Sequence, residues 1–208
     1  MRCAKIFRPF IVACLFVIWL APAHGAGEAA PASMVIEDLH EALLTVMREA
    51  EELGFKGRFE KLEGPLGRAF DHERMIRVAS GPFWRKATDE EKRDLLDAFR
   101  RMSLSTYAAR FKSYKGHEFE IQGTRPGPQE TALVSTRIVS SGNDPVEIVY
   151  VMKESDGQWR VADVLLENSI SELAVRRSEY RAILKKDGVS GLIATLNQKA
   201  EDLRTDAN

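Results

Sequence analysis

Apolar positions recur at helical spacing in the first half of the chain, alternate through its middle, and return to helical spacing near the C-terminus. Ile36, Leu39, Leu43, Met47, Ala50 and Leu53 mark one face of a helix over residues 35–53, which Gly54 ends. Residues 59–70 predict a second helix, with a break at Gly64-Pro65 left open. Asp71 can cap a third, which carries Met75, Ile76 and Val78 and stops at Gly81-Pro82. Thr88 with Glu91 is a capping box that opens the longest helix, residues 89–114, closed by Gly116.

The period then changes to two. Residues 119–122, 131–139, 146–153 and 158–166 predict strands. Gly142-Asn143-Asp144-Pro145 and Asp156-Gly157 are turn signals, and connections that short join antiparallel neighbours. Helical spacing resumes over residues 169–186, breaks at Asp187-Gly188, and continues over 189–203. The expected fold class is α+β, a curved antiparallel sheet of about four strands wrapped by N-terminal and C-terminal helices.

The first residues follow a different logic. Arg2, Lys5 and Arg8 precede an apolar run over 10–20, and Ala21-Pro22-Ala23 supplies small residues for cleavage. Residues 1–23 thus predict a secretory signal peptide, too short in its apolar stretch to span a bilayer core of about 30 Å. Residues 24–33 predict a flexible lead and residues 34–204 a single domain. The periplasm is the expected destination.

Composition narrows the function. The 208 residues carry a net charge of −1 and are 44% hydrophobic, which fits a globular protein without the basic excess of a nucleic-acid binder. Loss of the leader removes three cations and no acid, so the mature chain is more acidic still. Cys3 and Cys14 lie in the leader, so a disulfide framework, a thiolate metal site and a cysteine nucleophile are excluded from the mature chain. His40, His72 and His117 have no metal-ligand spacing, and Gly188-Val189-Ser190-Gly191 is not a nucleophile elbow. No metal and no cofactor are expected.

One polar group stands out. By strict alternation Asp163 shares a strand face with Trp159, Val161 and Leu165, while Ala162, Val164 and Leu166 occupy the other. Both faces are apolar, so Asp163 is expected to be buried with a partner. Arg110 falls about 20° from Phe99 on the long helix, and Arg177 about 20° from Ile170 on the next-to-last helix, so either is a candidate. The pair could fix helix-to-sheet register, anchor a headgroup, or serve catalysis. The apolar side chains are also in surplus. Leu95, Leu96, Phe99, Met102, Leu104, Tyr107, Phe111 and Tyr114 give the long helix an unusually wide apolar sector. Met and aromatic residues suit an adaptable pocket, although composition taken alone favours a solid core over a hollow one.

A run of motifs carries a family resemblance. They are Gly54-Phe55-Lys56-Gly57-Arg58-Phe59, Phe70-Asp71 with Met75, Gly81-Pro82-Phe83-Trp84, Thr106-Tyr107-Ala108-Ala109-Arg110-Phe111 and Tyr114-Lys115-Gly116. Trp159-Arg160-Val161-Ala162-Asp163-Val164, Ile170-Ser171-Glu172-Leu173, Arg176-Arg177-Ser178-Glu179-Tyr180 and Gly191-Leu192-Ile193 continue the series. In order and spacing the chain resembles the MlaC-like, or toluene-tolerance, lipid-shuttle family, and within it the branch associated with hopanoid biosynthesis. It departs from the family's Gly-x-Ser after the Asp-Val strand, having Glu167-Asn168-Ser169 there.

The resemblance implies a periplasmic carrier that holds phospholipid or hopanoid tails in an apolar cavity. The implied partners are an inner-membrane lipid transporter (of ABC/MCE type or an RND exporter) and an outer-membrane acceptor. The lining expected on this reading is Phe83, Phe99, Met102, Tyr107, Phe111, Tyr150, Met152, Trp159 and Val164, with Arg110, Asp163 and Arg177 as buried polar or headgroup residues. Two other classes stay open. A cone-shaped fold of the nuclear-transport-factor type could host an enzyme using Asp163 as base with Tyr107 or Tyr150 as oxyanion donor. A lipid-independent periplasmic adaptor would instead show a solid core and an exposed apolar patch.

Overall fold

The computed structural model describes residues 31–142, 144–167 and 169–207. The expected leader and most of the expected lead, residues 1–30, lie outside the described residues. Within them, Ala32 and Ser33 already belong to helix α1, Ala32–Arg48. Glu49 interrupts the helix, and α2 runs over Ala50–Ala69. Its one departure from helical geometry is Gly54, at φ 57° and ψ −173°, a conformation open in practice only to glycine. Pro65 sits inside α2 without the break that sequence left open. Helices α3 (His72–Ser80), α4 (Pro82–Lys86) and α5 (Asp89–Arg110) follow. The Asp71 carboxylate accepts from the Arg74 amide, and the Thr88–Glu91 capping box is complete.

Strands β1 (Glu118–Gly127), β2 (Thr131–Val139), β3 (Val146–Ser155), β4 (Gln158–Leu166) and the short β5 (Ile170–Ser171) form one antiparallel meander in chain order. β1 is longer than its apolar pattern predicts. It borders only β2, and a bulge at Gln122 lets Gly123 and Pro126 remain in register with Ser135 and Ala132. Glu120 stands opposite Arg137 and is ion-paired to it. The last helix, α6 (Glu172–Asp206), is kinked at Gly188, with φ 69° and ψ −165°, at the expected break.

The helices cover one face of the sheet. Ile36, Leu39 and Leu43 from α1, Leu62 and Leu66 from α2, and Phe99 and Met102 from α5 meet Val134, Tyr150, Met152 and Val161 in a single apolar cluster that also takes Leu184, Leu192 and Leu196 from α6. The junction of α2 and α3 is pinned to the sheet, because the Asp71 amide donates to the Val161 carbonyl at 3.0 Å. No described helix is long and apolar enough to cross a membrane.

Candidate functional site

The nine side chains expected to line an apolar site belong to this cluster. Phe99, Met102, Tyr150 and Met152 are buried within it, and Phe83, Tyr107, Phe111, Trp159 and Val164 pack against it half-buried. Aromatic contacts bind the rim together. Tyr107 stacks on Phe111 with ring centroids 5.6 Å apart and meets Phe70 edge-on at 5.6 Å. Phe111 in turn lies 6.3 Å from Phe119. Clefts open at the margin of the cluster. One of about 340 Å³ lies between α1, α2 and β4, with Val35, Leu39 and Trp159 inside it and Asp38, Arg68 and Arg160 also lining it. A second, of about 380 Å³, runs between α2, α5 and α6 past Phe55, Phe59 and Ala200.

The polar residues are arranged differently from expectation. β4 carries a bulge at Ala162, where the register passes from Met152–Val161 to Val151–Asp163. The extra residue reverses the alternation, so Asp163 shares a face with Val151 while Val164 joins Tyr150. Asp163 is half-buried and is not paired with Arg110 or Arg177. Its Oδ1 accepts from the Leu173 amide at 3.0 Å and the Val164 amide at 2.7 Å, and its Oδ2 accepts from the Ser171 hydroxyl at 2.5 Å. Asp163 and Tyr150 therefore occupy opposite faces, and the Asp163–Tyr150 form of the enzyme reading is not assembled.

Arg110 and Arg177 are both exposed. Arg110 is the last residue of α5, which ends four residues before the expected 114 as Phe111 leaves helical geometry. A cation there complements the C-terminal end of the helix dipole. The angular distance of Arg177 from Ile170 carries no helical phase, because Ile170 is in β5. The residue that turns inward on α6 is Arg176. Its guanidinium carbon lies 5.8 Å from the Phe99 ring centroid and its Nη1 3.6 Å from the Met102 Sδ. Its Nη2 is 3.8 Å from Glu172, and its buried Nε meets no partner among the described residues.

Three further polar groups were not legible as buried. Arg58 is 3% exposed and donates to three backbone carbonyls: Ala50 at 2.9 Å, Ala108 at 2.9 Å and Ala207 at 3.4 Å. The last two stand at the C-terminal ends of α5 and α6, whose partial negative charge stabilises the guanidinium without a carboxylate. His40 stacks on Phe119 with centroids 4.4 Å apart and places Nε2 3.3 Å from the Tyr150 hydroxyl. His72 places Nε2 3.4 Å from Ser103 Oγ. Burial pushes His40 down to about 4. Burial does the same to His72, also to about 4, with the Arg100 and Arg176 charges adding to it against Asp71. Both imidazoles are neutral components of the core at pH 7. Burial raises Tyr107 to about 12 and Tyr150 well above the ordinary phenol range, so each remains a hydroxyl. Among the described residues no group of His, Cys, Asp and Glu could hold a metal ion.

An α+β layer pair of this kind, with an open five-stranded meander under a helical cover, has a solved counterpart. A phospholipid-binding protein from Ralstonia solanacearum, in complex with a phospholipid, superposes with a TM-score of 0.73 at 20% identity, over 84% of this chain and 99% of that one. At that identity the likeness is one of fold. The sequence adds the family: the profile of the MlaC protein family matches residues 37–198, and the chain belongs to that family.

Proposed function

We propose that the protein is a periplasmic lipid carrier, not an enzyme, consisting of a cleaved leader over residues 1–23 and one lipid-binding domain over 34–204. The observation that carries this reading is the single cluster of Met and aromatic side chains between α5 and the sheet, half-buried at its rim and adjoined at Trp159 by a 340 Å³ cleft. Membership of the MlaC family and the phospholipid held by the Ralstonia protein support it.

The physical demand on such a carrier is large. Exposing one methylene to water costs about 0.8 kcal/mol, so two acyl chains of about thirty methylenes would cost on the order of 20 kcal/mol. The carrier must replace the bilayer's apolar contacts nearly all at once. Met102 and Met152 and the rim rings Tyr107, Phe111 and Trp159 are the side chains best suited to re-pack around a tail. A phospholipid is the expected cargo, with a hopanoid as the finer alternative. Transfer between an inner-membrane transporter and an outer-membrane acceptor is the expected role.

The test is native mass spectrometry of the protein purified from its own periplasm, followed by lipid extraction. A stoichiometric co-purified phospholipid or hopanoid is the expected result. Protein that never carries lipid and does not take it up from vesicles would overturn the reading in favour of an adaptor.

A further inference from the structure

Outside the apolar cluster, one cleft combines charge, an unpartnered donor and an apolar wall. It lies between the α3–α4 corner and α6 and has a volume of about 340 Å³. Arg177, Arg181 and Lys185 line it from α6, and Ser80 and Phe83 face them. Among the described residues no carboxylate lines the cleft.

The three cations stand at i, i+4 and i+8, so they form one row about 12 Å long on the same helix face. Like charges at that spacing repel one another and weaken a helix. None of the three is engaged in an ion pair or hydrogen bond among the described residues, and all are exposed. A row of this kind facing a cleft is complementary to an anion. Ser80 supplies the second, independent sign. It is 2% exposed, and its Oγ meets no hydrogen-bond partner among the described residues. A buried hydroxyl without a partner is costly, and because the Ser80 oxygen is closed to solvent, a ligand oxygen satisfies it only once the wall of the cleft shifts to admit one.

We propose that this cleft binds a phosphate group. Arg177, Arg181 and Lys185 would neutralise its charge, and the Ser80 hydroxyl would donate to one of its oxygens. The volume is roughly ten times a water's share of the liquid, which leaves room for a small polar substituent on the phosphate. Phe83 belongs both to the cleft and to the rim of the apolar cluster, so an amphiphile could place phosphate here and its tail beyond Phe83. The headgroup of a carried lipid and free phosphate share the required chemistry. The headgroup form rests on the carrier reading; the phosphate site itself does not.

Calorimetric titration of the exported protein separates these cases with four probes: inorganic phosphate, glycerol 1-phosphate, dihexanoyl phosphatidylglycerol and dihexanoylglycerol. Arg181→Gln/Lys185→Gln should weaken every phosphate-containing probe that binds the wild type by at least about tenfold, and Ser80→Ala by about threefold. Binding of dihexanoylglycerol should not change, nor should any binding in the exposed control Arg125→Gln. If the double variant does not fold, Arg181→Gln alone makes the same comparison. Tight binding of only the phospholipid assigns the site to a headgroup; comparable binding of inorganic phosphate assigns it to the free anion. A wild type that binds no phosphate compound, or variants that bind them all as the wild type does, would overturn the site. A wild type that binds inorganic phosphate but neither short-chain lipid would leave the site standing and assign it to the free anion, and the carrier reading would still be decided by co-purified lipid and uptake from vesicles.

Discussion

The Ser171 hydroxyl donates to the Asp163 carboxylate at 2.5 Å while accepting from the Ala174 amide at 2.9 Å. Ser171 is thus the N-cap of α6, and Asp163 both orients that cap and takes the Leu173 amide itself. One strand residue fastens the start of the last helix to the sheet edge. Asp163→Ala should cost about 2–3 kcal/mol, the worth of charge-assisted hydrogen bonds together with a disturbed cap. Asp163→Asn keeps an oxygen for the two amides and should cost less than about 1 kcal/mol. Urea unfolding of both variants checks the difference; equal losses would show that the carboxylate charge carries the effect.

Arg58 should be among the least replaceable residues. Arg58→Met removes the donors to Ala50, Ala108 and Ala207 and leaves carbonyls without them in a site where Arg58 is 3% exposed. The expected destabilisation is about 2–4 kcal/mol. Hydrogen exchange should increase at the C-terminal turns of α5 and α6 in particular. A change confined to α2 would contradict the clamp.

His40 and His72 should make the fold less stable in acid. Each titrates near 4 when folded, against about 6.5 in an unfolded chain. Both are neutral when folded, so the stability they permit is full above about pH 6.5 and declines as pH falls toward 4. At pH 5 the loss should be roughly 2 kcal/mol per histidine. Chemical denaturation at pH 7.5 and pH 5 measures it. His40→Phe should remove about half of the dependence, and an unchanged pH profile would show that His40 is not the group responsible.

Met152 tests how the cluster responds to added volume. It is fully buried between Ala132 and Val161 in the ladder. Met152→Trp should overpack the lipid-free protein by about 1–3 kcal/mol and also abolish lipid uptake. Melting temperature and bound lipid are measured on the same sample. Full lipid uptake by the variant would move the tail site away from Met152, toward the clefts at the margin.

Local chemistry was enough to fix several elements. The limits of β2 and β4, the Thr88–Glu91 capping box, the Asp71 cap and the break at Gly188 all lie where the residues place them. The reason is that caps, alternation and a left-handed glycine act within a few residues of chain. The nine apolar candidates also fall in or against one cluster, because hydrophobic periodicity records which face is buried. What the tertiary structure decided were phases and distant partners. A bulge at Ala162 adds one residue without marking the sequence, and that residue turned Asp163 to the other face. Ile170 went to a strand, so the inward arginine of α6 is Arg176 and not Arg177, which joins the outer row of cations. Arg58 found its acceptors on three backbone carbonyls up to 149 positions away. Every residue presents a carbonyl of that kind, so no side-chain pattern can mark which ones will converge; only the packing of helix ends brings them together.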